Sequence, residues 1–237
     1  MKYNSCSLLL DRMNEFGTDI SVISNMSGIF YKDSQPANME MHEELRSGRR
    51  FRDRFIPFAI INPMFAAWKY DLDECINKMG IKGIRMHPVY HDYELLHPNS
   101  IELVKTARDK NLVVAFTTRM VDSRGPRHWM DVKTEWRLSD VIPIIKEVPD
   151  AKYFILNATQ SIGLNDEELK LFKESDTLID TSGRRTSNLG ELIKNYGADK
   201  FAFGTHSPIL DYVTGLLRIE ALRENEADEA TKEQLRW

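Results

Sequence analysis

The sequence predicts an α/β fold, a (β/α)8 TIM-type barrel whose first strand is incomplete or missing. Three observations carry this reading. Short apolar runs rich in β-branched and aromatic residues recur along the chain, segments with helical spacing of apolar residues separate them, and glycines stand where those helices should stop. Strict alternation of strand and helix leaves a doubly wound open sheet or a barrel, and seven units within 237 residues favour the barrel, as one domain over 1–237.

The elements follow in order. The chain opens with a helix over 7–16, started by a serine and stopped at Gly17. Strands are expected at ISVIS (20–24), FIPFAI (55–60), KGIRM (82–86), VVAF (113–116), YFIL (153–156), LID (178–180) and FAF (201–203), each a short buried parallel strand by composition. Leu72, Cys75, Ile76 and Met79 lie on one helical face ahead of Gly80. Leu189, Leu192, Ile193 and Tyr196 do the same ahead of Gly197. The stretch 117–137 is too long for a simple turn and leads to a helix near Leu138; a loop of that length after a barrel strand shapes an active site. The acidic tail 223–237 is helix-prone.

A complete barrel places a strand before the first helix. Residues 1–6 are read as its remnant, or the chain starts downstream of it, and the edges left open need cover from a lid, a partner chain or the N-terminal residues. A homo-oligomer would supply such cover.

Composition excludes several function classes. With 32 basic and 36 acidic residues and a formal charge of −4, nothing points to nucleic acid or an anionic membrane. The one basic cluster, RSGRRFRDR at 46–54, reads as a solvated helix end or as an anion patch. Cys6 and Cys75 form neither a CxxC pair nor a zinc-finger spacing, which fits a reducing cytoplasm. The N-terminal apolar run Leu8-Leu9-Leu10 is closed at once by Asp11-Arg12, too short for a signal-peptide core or a membrane span.

Five segments at strand ends, AIINPMF, DECINKMGIKGIRMHP, VPDAKYFILN, LIDTSG and KFAFGTHSP, taken in that order, resemble the amidohydrolase-related branch of the amidohydrolase superfamily. The resemblance implies a barrel with one or two divalent metals at its C-terminal face, and an activity that hydrolyses amides or esters, opens lactones or decarboxylates aromatic acids. Position by position the implied metal set is altered. No His-x-His pair stands on a first strand among the six histidines, His42, His87, His91, His97, His128 and His206. Thr117 or Thr118 stands where the fifth-strand histidine belongs, Asn157 where the sixth-strand histidine belongs, and His206 where the last-strand aspartate belongs.

Three chemistries remain open. A divalent metal such as zinc would take His87 and His206, with His128 or His91 as a third ligand, leaving a position for water. A metal-free site would use His206 as general base, with Arg85 or Arg119 holding a carboxylate or a developing oxyanion. A binding barrel without catalysis would use the same polar strand tips, Asn62, His87, Asn157, Asp180, Thr205 and His206, to satisfy one another.

Within the loops, Arg124, Arg127, His128 and Trp129 follow the VVAF strand, and Trp129 and Trp136 read as caps for a ligand or as anchors of the loop. His91 reads as one half of a His91–Asp92 pair or as part of an ordered Tyr-His loop, and Asp180 as a base or as an acceptor stabilising its turn. The reading carried forward is a hydrolase of a small carboxylate-bearing ester, lactone or amide. His206 and His87 are its candidate catalytic groups; Arg85, Arg119, His128, Asn157 and Trp129 are its candidate substrate contacts. The alternative is a barrel that binds a small ligand or a partner subunit.

Overall fold

The computed structural model describes residues 5–117, 120, 136–158, 163–183 and 188–236. The chain is α/β, with seven strands among the described residues alternating with helices as in a TIM-type barrel. These are the seven runs read in the sequence. The chain divides into two compact units, Met1–Ala115 and Phe116–Trp237.

The first unit runs through α1 (Cys6–Glu15), β1 (Ser21–Ile23), α2 (Gln35–Arg46), α3 (Arg49–Arg52), β2 (Phe55–Ile60), α4 (Trp68–Glu74), β3 (Gly83–Met86), α5 (Pro98–Asp109) and the start of β4 (Val113–Thr117). α1 begins earlier than expected. Ser5 is its cap, accepting the Leu8 N–H, because a capping hydroxyl must reach a donor three residues on and Ser7 is already helical. Cys6, Leu10 and Met13 of α1 pack with Met41 and Leu45 of α2, Phe51 of α3 and Phe55 of β2. α4 continues into a π turn, Cys75–Met79, and Gly80 ends it with φ +65°, a conformation that costs glycine little. Both cysteines are buried and unbridged, and burial above all pushes each thiol up to about 12, so neither is a nucleophile near neutral pH.

β1, β2 and β3 pair in parallel, with Ser21 opposite Phe55 and Phe58 opposite Gly83. β1 stops at Ile23, opposite Pro57, three residues short of the end of β2. An α2 side chain supplies what a longer β1 would. The fully buried Asn38 accepts the Ile60 N–H at 2.8 Å and donates to the Ile60 carbonyl at 2.9 Å, and Ser34 donates to the same carbonyl at 2.6 Å. Leaving those backbone groups unpaired would cost about 1–3 kcal/mol each.

The basic cluster is a pair of solvated helix ends. Arg46, Arg49, Arg50 and Arg52 are exposed, Arg49 pairs with Asp53, and Arg54 reaches back to Asn14 in the last turn of α1 and to the Thr18 carbonyl just past it.

The second unit continues with the end of β4, α6 (Leu138–Glu147), β5 (Lys152–Leu156), α7 (Asp166–Glu174), β6 (Thr177–Asp180), α8 (Leu189–Tyr196), β7 (Phe201–Ala202), α9 (Tyr212–Glu220) and α10 (Glu229–Arg236). β5, β6 and β7 pair in parallel, with Tyr153 opposite Thr177 and Asp180 opposite Ala202. Phe116 of β4 stacks on Tyr153 of β5 at 6.1 Å between ring centroids. The tail forms a docked helix: Leu235 is fully buried, and Arg236 forks to Glu220 and Glu229. No helix among the described residues is long and apolar enough to cross a membrane.

Candidate active site

Two strand tips of the second unit meet through their side chains. Asn157 follows β5, is buried, and has φ +55°; His206 follows β7 by four residues and has φ +53°. Asn157 Nδ2 lies 3.3 Å from His206 Nε2. With Nδ2 facing the ring as donor, Nε2 accepts and the ring proton sits on Nδ1. The imidazole is then neutral, with its basic nitrogen turned to Asn157.

The left-handed backbone at Asn157 is held from the next strand. Asp180, buried at the end of β6, accepts the Asn157 N–H through Oδ1 at 2.8 Å, and Oδ2 accepts the Ser182 hydroxyl at 2.6 Å. A hydrogen bond to a charged acceptor contributes about 1.5–3 kcal/mol, enough to offset the roughly 1–2 kcal/mol of a left-handed residue. Of the two roles read for Asp180, the geometry is that of the turn acceptor. Gly204 rides against the same carboxylate: a Cβ there would stand 2.5 Å from Oδ2 and 2.7 Å from the Asp180 Cβ. The Gly204 N–H donates to Thr181 Oγ1 at 3.2 Å, and the Thr181 N–H to the Ala202 carbonyl at 2.9 Å. The turn after β6 therefore touches the tips on both sides of it, a role that LIDTSG signals only as a carboxylate before a glycine turn.

In the first unit, His87 is buried at the tip of β3, its ring edge-on to Tyr90 at 6.2 Å and to His91 at 6.1 Å. Its carbonyl accepts the N–H groups of both Tyr90 and His91, which winds the loop tightly. His91 Nε2 lies 3.0 Å from the Gly28 carbonyl, so this nitrogen carries the proton. Burial lowers the His91 pKa, opposed by that hydrogen bond. Asp92 is exposed with φ +54°, so this stretch is the ordered Tyr-His loop and not a His-Asp pair. Asn62 turns into its own loop, donating to the Lys32 carbonyl and accepting the Met64 N–H. Arg85 is half-buried on β3, between the fully buried Ile84 and Met86.

The structure thus joins Asn157 and His206, and places His87 and Arg85 in the other unit. Arg119, His128 and Trp129, with Arg124 and Arg127, lie outside the described residues. Trp136 is half-buried just ahead of α6.

Among the described residues no three His, Cys, Asp or Glu side chains gather where they could hold a metal ion. Of the groups at the second unit's tips, the Asp180 carboxylate already accepts from Asn157 and Ser182.

No family model and no curated protein matches the chain. Solved structures do. A 2,6-dihydroxybenzoate decarboxylase from Rhizobium has a TM-score of 0.71 at 17% identity, over 96% of this chain and 84% of its own. A dihydroxybenzoic acid decarboxylase from Polaromonas sp. JS666, with bound manganese and the inhibitor 2-nitroresorcinol, has a TM-score of 0.67 at 15% identity, over 97% of this chain and 82% of its own. An amidohydrolase from Mycobacterium avium subsp. paratuberculosis K-10 has a TM-score of 0.64 at 11% identity, over 100% of this chain and 74% of its own. The chain has the fold of amidohydrolase-superfamily enzymes.

Proposed function

We propose that the protein is an enzyme acting on a small carboxylate-bearing molecule, with His206 as its proton-transfer group. The observation that carries this is the Asn157–His206 contact, a neutral imidazole held by an amide at two converging strand tips. Histidine ordinarily changes charge near neutral pH, which matches it to proton transfer, a contribution of about 10²–10⁴ in rate.

For hydrolysis of an ester, lactone or amide, Nε2 takes a proton from water as the water oxygen bonds to the carbonyl carbon. The proton then passes to the leaving oxygen or nitrogen as that bond breaks. Once Nε2 is protonated, Asn157 turns its amide to present Oδ1, so the same side chain serves both states of the ring. Guanidinium groups suit the substrate's carboxylate. Arg119, with His128 and Trp129 as further substrate contacts, is proposed for that role on residue type; Arg85 carries the same chemistry in the first unit.

The decarboxylases among the structural neighbours favour a second reading, loss of CO2 from a carboxylated aromatic. There the ring first takes a proton from solvent on Nε2 and gives it to the aromatic carbon as the bond to the carboxylate breaks and CO2 leaves. This reading admits a divalent metal, since the Polaromonas enzyme holds manganese.

A panel of hydroxylated aromatic acids, carboxylated lactones and aryl esters, followed for acid release and for CO2, tests both readings. Turnover of at least one carboxylate-bearing compound is expected. Binding of such compounds without turnover would instead support the binding barrel.

A further inference from the structure

We infer that Asp180 is a positioning residue of the Asn157–His206 pair: its buried carboxylate clamps the tips of β5 and β7 and thereby fixes which imidazole nitrogen carries the proton. The importance of that tautomer rests on the proposed reading of the pair as a reaction centre; the geometry does not. Asp180 is only 4% exposed, and a buried carboxylate is retained at a cost unless its oxygens are well satisfied. Its two oxygens have separate tasks. Oδ1 binds the Asn157 N–H at 2.8 Å and holds that residue at φ +55°, the conformation from which Nδ2 reaches His206. Oδ2 binds Ser182 at 2.6 Å and fills the space in which Gly204 has no side chain, two residues before His206.

The chain of contacts runs from Asp180 through the Asn157 backbone and amide to the ring. Without the acceptor at Oδ1, the Asn157 N–H loses that bond and its backbone relaxes. The amide then withdraws from Nε2, and the ring loses its preference for Nδ1–H. An acceptor of the same shape should restore that preference, whereas a role in bulk packing would not depend on the acceptor at all.

The test is the nitrogen spectrum of the histidine rings in uniformly labelled full-length protein at a pH where His206 is neutral, with the signal assigned through His206→Gln. Wild type is expected in the Nδ1–H form. Asp180→Asn, which keeps an acceptor for the Asn157 N–H, should retain it. Asp180→Ala should shift the tautomer ratio about tenfold toward Nε2–H, the change that loss of one hydrogen bond produces, with the other histidines unmoved. Gly204→Ala is a second route that does not depend on Asp180→Ala folding, since its methyl would stand 2.5 Å from Oδ2 and displace the carboxylate. The same tautomer loss is expected. An unchanged His206 ring in a folded variant of either kind, or a wild-type ring in the Nε2–H form, overturns the inference. Turnover does not enter this readout. Activity that depends on His206 beside a tautomer indifferent to Asp180 would reject the clamp and keep the reaction centre; a clamped ring with no turnover would do the reverse.

Discussion

Asn157 Nδ2 and His206 Nε2 stand 3.3 Å apart at the tips of β5 and β7, both on left-handed backbone. The contact is long for a hydrogen bond, which suits a partner that must release the ring nitrogen during proton transfer. Asn157→Ala should lower kcat about tenfold, the scale of one lost hydrogen bond, with KM little changed. Steady-state kinetics on whichever substrate the panel returns checks this, and a change confined to KM would contradict it.

Gly204 is fixed by the space that Asp180 occupies. With a new Cβ 2.5 Å from a buried carboxylate oxygen, Gly204→Ala is expected to destabilise the fold by about 1–3 kcal/mol through overpacking. Urea denaturation reads this as a lower midpoint with the slope unchanged; a midpoint equal to wild type would mean that the turn after β6 moves aside freely.

Asn38 takes the place of missing strand at the end of β2. Asn38→Leu, branched alike at Cγ but unable to bond, leaves the Ile60 N–H without its 2.8 Å partner and removes one of the two donors to the Ile60 carbonyl. The expected loss is about 2–4 kcal/mol. Faster hydrogen exchange at the Ile60 amide would locate the effect, and exchange as slow as in wild type would show that another group takes over.

The strands were legible because each is a short apolar run between helical segments, three of which stop at Gly17, Gly80 and Gly197. β7 is shorter than its run since Phe203 leaves the pairing just before Gly204 crosses Asp180. Asn38 was not legible: in QPANMEMHEELR an asparagine reads as a surface residue, and its burial follows only from the early end of β1. The positive φ of Asn157 and His206 leaves no mark in composition, so their meeting could be read only as two polar residues at two strand ends. The partner of His91 was out of reach for a related reason. It is the carbonyl of Gly28, 63 residues away, and a backbone acceptor has no sequence signature. Asp180 was readable as a turn acceptor from DTSG, though its bond to the neighbouring tip was not.

Asp71 gives a pH dependence with a definite sign. Burial, with the like charges of Asp33 and Glu74, pushes its carboxyl from 3.8 up to about 6. The folded state therefore holds this proton more tightly than the unfolded state. The resulting stabilisation is fully present below about pH 3.8 and is lost as pH rises through about 6. Asp71→Asn should flatten the melting profile across that window and raise the melting temperature at pH 7. Parallel profiles for the two proteins would show that Asp71 titrates normally.

The central claim is that His206 moves the proton in a reaction of a carboxylate-bearing substrate. The most direct measurement is kcat/KM of wild type and His206→Asn on the best substrate of the panel, with the folded state of each checked by its melting curve. The expected result is a fall of about 10²–10⁴ at an unchanged melting temperature. Full turnover by the folded variant would contradict it.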